Sequence, residues 1–153
     1  MNPRYYTEKD YLERVNLILI YIQTHLDEDL KLETLATIAS FSKFHIHRIF
    51  SSYVGETLNN YVRRLRIERA AQHLHYAHNA NKSVSRIAMD AGYDTPAAFT
   101  KAFKQHFGIT PSAFRKDKNA KETVKRQHIN KKIGIIMKPE IVTFKSVRVF
   151  FSQ

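Results

Sequence analysis

The chain repeats itself. Val84, Ile87, Ala88 and Ala91 reproduce the spacing of Leu32, Leu35, Ala36 and Ala39 at an offset of 52 residues, and the turn Gly92-Tyr93-Asp94 answers Ser40-Phe41-Ser42. After one inserted residue, Phe103, Gly108, Thr110 and Phe114 match Phe50, Gly55, Thr57 and Tyr61 at an offset of 53. Such a duplication restricts the fold, because each copy must build the same helices, the same turn and the same buried face. The i, i+3, i+4, i+7 spacing is helical, and a helix, a tight turn and a second helix twice over is a tandem helix-turn-helix. Ala36 and Ala88 suit close helix crossing, and Gly92 suits a turn residue with positive φ. Ser40 lacks that freedom, so mild strain is expected at the first turn.

The flanking pattern is also helical. Leu12, Val15, Leu19, Ile22 and Leu26 predict an amphipathic helix from about Asp10 to Leu26. A short helix then carries Leu32 to Ala39 and ends at Ser40-Phe41. Ser42 is placed to cap a third helix from about Lys43 to Val54, which Gly55 stops. Thr57 caps a longer fourth helix with Leu58, Val62, Leu65 and Leu74, reaching about Ala77 before the polar run from His78 to Lys82 breaks it. In the second copy Thr95 is the cap and Pro96 the first helical residue. The expected fold is all-α: about seven helices in two helix-turn-helix subdomains joined by a long central helix.

Charge points to the partner. With 25 Lys and Arg against 14 Asp and Glu, the net charge of +11 implies a polyanion, either nucleic acid or an anionic membrane surface. No apolar run approaches the roughly 18 residues of a membrane span, and the start MNPRYYTEKDY lacks the apolar core of a secretory signal. A cytoplasmic, nucleoid-associated protein with no membrane partner is expected. Zero cysteines exclude disulfides, thiolate metal sites and a Cys nucleophile. There is no P-loop, nucleophile elbow or HExxH. His73, His75 and His78 lack a nearby carboxylate and read as a solvated cluster rather than a metal site. No catalytic residue, metal or cofactor is expected.

Two helix faces carry the functional reading. On the third helix Ile46, Ile49, Phe50 and Tyr53 form one stripe, while Phe44, His47, Arg48 and Ser51 lie opposite and face outward. Arg can donate twice to guanine O6 and N7, and an apolar ring can meet a thymine methyl, so this stripe has the chemistry of major-groove readout. In the second copy Phe99, Ala102, Phe103 and His106 form the buried side. Ala97, Thr100, Lys101 and Lys104 then face out, and their point charges and small groups suit phosphates better than base edges. The helix from Thr57 to Ala77 would span roughly 30 Å, close to the ~34 Å between successive major-groove faces. Of Arg63, Arg64, Arg66 and Arg69, some are expected on phosphates and others in internal pairs with Glu68 or Asp90.

The stretches LATIASFSKFHIHRIFSSYVGETLNNYVRRLRIERA and SRIAMDAGYDTPAAFTKAFKQHFGITPSAFRK resemble the paired helix-turn-helix DNA-binding domain of AraC-family transcription regulators, most like the MarA, SoxS and Rob branch. The resemblance covers about residues 8–116. It implies that Phe44, His47 and Arg48 take base-reading positions in the first recognition helix, and Ala97, Thr100 and Lys101 those in the second. Ser42, Lys43, Ser51, Arg63, Arg64, Thr95 and Lys104 are expected on the DNA backbone. Ala97 and Ala98 stand where family members often carry longer polar side chains. Double-stranded DNA bound by a monomer is the expected complex, with RNA polymerase as a further partner.

Residues 117–138 hold seven Lys and Arg against two acidic residues, and read as a basic linker. KPEIVTFKSVRVFF within 138–151 is β-branched and aromatic, a lone strand by propensity. Residues 139–153 resemble the first strand of a GyrI-like effector-binding domain, and the expectation is a truncated form of that domain. Two other classes of function fit the same composition: a protein-interaction module for RNA polymerase or a partner regulator, and a sequence-blind architectural DNA-binding protein.

Overall fold

The computed structural model describes residues 6–76, 81–120 and 122. Among the described residues the chain forms the helices α1 (Glu8–Thr24), α2 (Leu32–Ile38), α3 (Lys43–Val54), α4 (Leu58–His75), α5 (Val84–Asp90), α6 (Pro96–Phe107) and α7 (Pro111–Lys116). There is no strand among the described residues. His78, most of the expected basic linker and the expected strand over 139–153 lie outside them.

The described residues divide into two compact units, one ending at Asn60 and one starting at Tyr61, so the boundary falls in the first turn of α4. In the first unit α1 packs on α2 and α3. Leu12, Val15, Ile18, Ile22 and Leu26 meet Leu35, Ala36, Ala39, Ile46 and Phe50 in the buried set. Ile18, fully buried, takes the place expected of Leu19, which is half-buried, because the contact face of α1 drifts between the two rows. α1 also starts earlier and stops sooner than the apolar spacing suggests. A capping box sets its start: the Thr7 hydroxyl accepts from the Asp10 amide at 3.2 Å while an Asp10 carboxylate oxygen accepts from the Thr7 amide at 2.8 Å. The Thr7 hydroxyl, donating to the same carboxylate oxygen at 2.7 Å, and then the Thr7 amide hold the Asp10 carboxyl below its ordinary value.

The second unit is built on aromatics. Phe99, Phe103, Phe107 and Phe114 pack against Ile67, Ala70, Ala71, Leu74, Ile87 and Ala88. The Phe103 ring lies 5.5 Å from Phe99, 4.7 Å from Phe107 and 5.3 Å from Phe114, within the usual range for favourable aromatic pairs. Each such ring contributes on the order of 2 kcal/mol by burial alone. This cluster fixes the rotation of α6 and therefore which side chains it presents. On α4 the apolar positions read from sequence are only partly buried: Leu58 and Leu74 are interior, while Val62 and Leu65 are half-buried.

The duplication is visible bond by bond. α2 and α5 both end in a Schellman turn. The Phe41 amide donates to Ala36 O at 2.8 Å and the Tyr93 amide to Ala88 O at 3.1 Å. The residue in the left-handed region is Gly92 in one turn, with φ 79°, and Ser40 in the other, with φ 52°. Ser40 is the one non-glycine residue with positive φ among the described residues, so the expected strain is there. Ser42 and Thr95 then cap α3 and α6, accepting from His45 and Ala98 amides at 3.2 Å each. Gly55 and Gly108 end those helices with φ of 82° and 81°, and Thr57 and Thr110 cap the helices that follow.

Candidate nucleic-acid interface

α3 is held by one face. Ile46 and Phe50 are fully buried, which turns the opposite row outward: Phe44, His47 and Arg48 are exposed and Ser51 is half-buried. Phe44 is 89% exposed, the most exposed large apolar side chain among the described residues. Folding leaves that ring in water, although burying it would be favourable by about 2 kcal/mol. Arg48 lies one turn beyond it, so an aromatic ring and a guanidinium stand side by side on a helix whose amino end also carries exposed Ser42 and Lys43.

Lys43 is not idle in the absence of a partner. Its Nζ lies 3.3 Å from Glu33 Oε1 of α2, both side chains more than half exposed. The Glu33 carboxyl is held below its ordinary value, first by a backbone amide at the start of α2 and then by the Lys43 hydrogen bond. The acidic partner is not evident from the sequence pattern, since the two residues are ten apart and meet only when α2 and α3 fold together.

α6 presents a plainer face. Ala97, Lys101 and Lys104 are exposed and Thr100 is half-buried; Thr95 is exposed, with its hydroxyl engaged as the cap. Ser52 and Gln105, at equivalent places one turn beyond Arg48 and Lys101, are exposed polar side chains that the outward stripes omitted. Their i, i+4 spacing was the available signal.

The α4 arginines separate. Arg63 is exposed, whereas Arg64 turns inward, 11% exposed, with Nη1 3.3 Å from Oε1 of the buried Glu68. The Arg64 guanidinium also lies 5.1 Å from the Tyr61 ring centroid. In this arrangement the Arg64 guanidinium is engaged by a buried carboxylate rather than presented to solvent. The pairing with Glu68 is the internal alternative foreseen. Asp90 pairs instead with Lys82 at 2.9 Å and Arg86 at 3.1 Å, and not with an α4 arginine. The Lys82 hydrogen bond holds the Asp90 carboxyl below its ordinary value. His106 Nε2 faces Glu68 Oε1 at 3.5 Å, an ion pair only when the imidazole is protonated.

Among the described residues no group of three or more His, Asp or Glu is placed to hold a metal, and no helix is long and apolar enough to cross a membrane.

Two capped helix-turn-helix units, each with one helix face buried and the other exposed, define a tandem helix-turn-helix protein. A family model described as a helix-turn-helix domain matches residues 35–117, from α2 to the end of α7. The chain is similar to the probable transcription factor PqrA of Proteus vulgaris, 38% identical over 111 residues that cover 71% of this chain and 88% of that one. It is also similar to the transcriptional activator AarP of Providencia stuartii, 36% identical over 66% of this chain and 73% of that one. Among solved structures, the DNA-binding domain of the global transcriptional factor AdpA, in complex with a target DNA, superposes with a TM-score of 0.62 at 26% identity, covering 71% of this chain and 95% of that one. The chain belongs to the AraC-type helix-turn-helix transcription regulators, a family of DNA-binding proteins and not of enzymes.

Proposed function

We propose that the chain regulates transcription by binding double-stranded DNA sequence-specifically as a monomer, with α3 and α6 in adjacent major-groove segments. The observation that carries this reading is the exposed row of α3: Phe44 at 89% exposure beside exposed His47 and Arg48, on a helix whose other face is fully buried. Arg48 is assigned to a guanine edge through two parallel hydrogen bonds and Phe44 to a thymine methyl, with His47 fixing register. Ala97, Thr100 and Lys101 form the groove-facing row of α6, where Lys101 grips phosphate as a point charge and the row distinguishes bases less than that of α3 does. Ser42, Lys43, Ser51, Arg63, Thr95 and Lys104 are assigned to sugar and phosphate, where they set position without sequence information.

Monomeric binding follows from the duplication, since one chain already carries two reading helices and has no need of a second to fill two groove segments. RNA polymerase is proposed as a second partner, in keeping with the family's role in transcription.

Competition binding tests the reading. A duplex selected from a random pool should be bound about 10³-fold or more tighter than a random duplex at the same salt, with one chain per duplex by complex mass. Equal affinities would indicate sequence-blind packaging, and negligible affinity for both would indicate a protein-interaction module.

A further inference from the structure

The two units contain an arginine at the same place in the repeat. Arg14 of α1 and Arg66 of α4 are 52 residues apart, the offset that relates Ser40 to Gly92. In the first unit Arg14 Nη1 donates to Ser40 O at 2.9 Å and to Ala39 O at 3.3 Å. Its guanidinium stacks 3.8 Å above the Tyr6 ring centroid and lies 5.6 Å from that of Phe41, so rings hold the group that holds the turn. In the second unit the Arg66 guanidinium lies against Gly92. A Cβ placed on Gly92 would stand 3.0 Å from Arg66 Nη1 and 3.3 Å from its Cζ.

We infer that Arg14 and Arg66 are equivalent positioning residues that brace the Schellman turn ahead of each recognition helix, and so fix how α3 and α6 meet DNA. The inference rests on the functional reading above. The turn is the natural place for such a brace. It sets the angle between α2 and α3, or α5 and α6, and its carbonyls sit at a helix C-terminus where the negative end of the macrodipole favours a cation. Arg supplies several N–H donors from one rigid plane, which a single point charge does not. The difference between the copies fits the same account. Arg14 engages the turn through carbonyl oxygens, and a side chain at Ser40 is accommodated there; Arg66 lies where that side chain would be, and the residue is glycine.

The assignment also separates these two from the phosphate-binding cations. Arg14 and Arg66 are both half-buried, unlike Arg63. Losing one should therefore blur discrimination without changing how many phosphates are neutralised.

The test uses the full chain with Arg14→Gln, Arg66→Gln and the corresponding Lys variants, and reads two quantities. Hydrogen exchange at the Phe41 and Tyr93 amides reports each turn, and binding to the selected and random duplexes over a range of salt reports discrimination and phosphate count. Arg14→Gln should speed exchange at Phe41 and cut discrimination, each by about tenfold, as expected for loss of one hydrogen bond to a charged group. Arg66→Gln should speed exchange at Tyr93 and cut discrimination in the same direction, through loss of the guanidinium packed against Gly92. The slope of affinity against salt should not change, and Lys should restore part of both effects. A slope reduced by about one contact, with both duplexes weakened alike, would make these residues phosphate ligands and overturn the inference. Faster exchange with discrimination intact would also overturn it, leaving a stabilising role only. If a Gln variant fails to fold, the Lys variant is read on the same criteria. A wild-type chain that prefers no duplex would remove the functional reading instead, and the exchange data would still decide whether the arginines hold the turns.

Discussion

Arg64 and Glu68 form a largely buried ion pair across one turn of α4, with Nη1 3.3 Å from Oε1 and side-chain exposures of 11% and 7%. A buried carboxylate is tolerated only when its charge is matched, so removing the arginine leaves a costly residue behind.

Arg64→Ala should therefore lower unfolding stability by about 2 kcal/mol while leaving the salt slope of binding to random duplex unchanged. Arg63→Ala should behave in the opposite way, with stability within about 0.5 kcal/mol of the parent and a slope reduced by roughly one contact. Denaturant melts and salt titrations of the two variants check both halves.

The two turns differ in what they admit. Gly92→Ala would force a Cβ into φ 79° and against Arg66, so it should cost more than about 1 kcal/mol. Ser40→Gly relieves φ 52° but adds freedom to the unfolded chain. Its net effect should be a gain below about 1 kcal/mol. Thermal melts of the pair give the comparison directly.

Glu33 restrains a cation at the amino end of α3. Glu33→Gln should release Lys43 and tighten binding to any duplex by about two- to fivefold at low salt, an effect that salt removes. Tighter binding to the selected duplex alone would contradict a phosphate role for Lys43.

Acid should weaken the second unit through Asp90. Its folded-state carboxyl is held below the ordinary 3.8 by Lys82, so the ionised form favours folding. That contribution is fully present above the ordinary value and is lost as pH falls through the depressed one. The stability difference between the parent and Asp90→Asn should thus be constant above about pH 5 and vanish in stronger acid. Melts at a series of pH values, with the difference plotted, test the sign.

The duplicated caps, turns and stop glycines were legible because each depends on one residue's chemistry. Ser42, Thr95 and Thr57 accept amide hydrogens, Gly55, Gly92 and Gly108 enter the left-handed region, and all six follow from local sequence. The outward rows of α3 and α6 were legible from helical phase once Ile46, Phe50, Phe99 and Phe103 marked the interior. The inward turn of Arg64 was harder, because apolar counting skips charged residues. Its signal was positional: Tyr61, Arg64, Glu68 and Ala71 lie on one row of α4, and the other three are buried. The start of α1 had a signal too, the Thr7 to Asp10 capping pair three residues apart. The contacts of Glu33 with Lys43 and of Arg14 with Ser40 join residues ten and 26 positions apart, and only folding brings them together.

In the proposed complex α3 is the reader and α6 the anchor. Binding of Arg48→Ala and Lys101→Ala to a selected duplex and its single-mismatch versions, at several salt concentrations, tests this assignment most directly. Arg48→Ala should cost about 1–3 kcal/mol on the selected duplex and erase preference at one or two base pairs. Lys101→Ala should weaken every duplex alike and reduce the salt slope by about one contact. If Arg48→Ala instead weakens all duplexes equally while Lys101→Ala changes base preference, the assignment of reader and anchor is reversed.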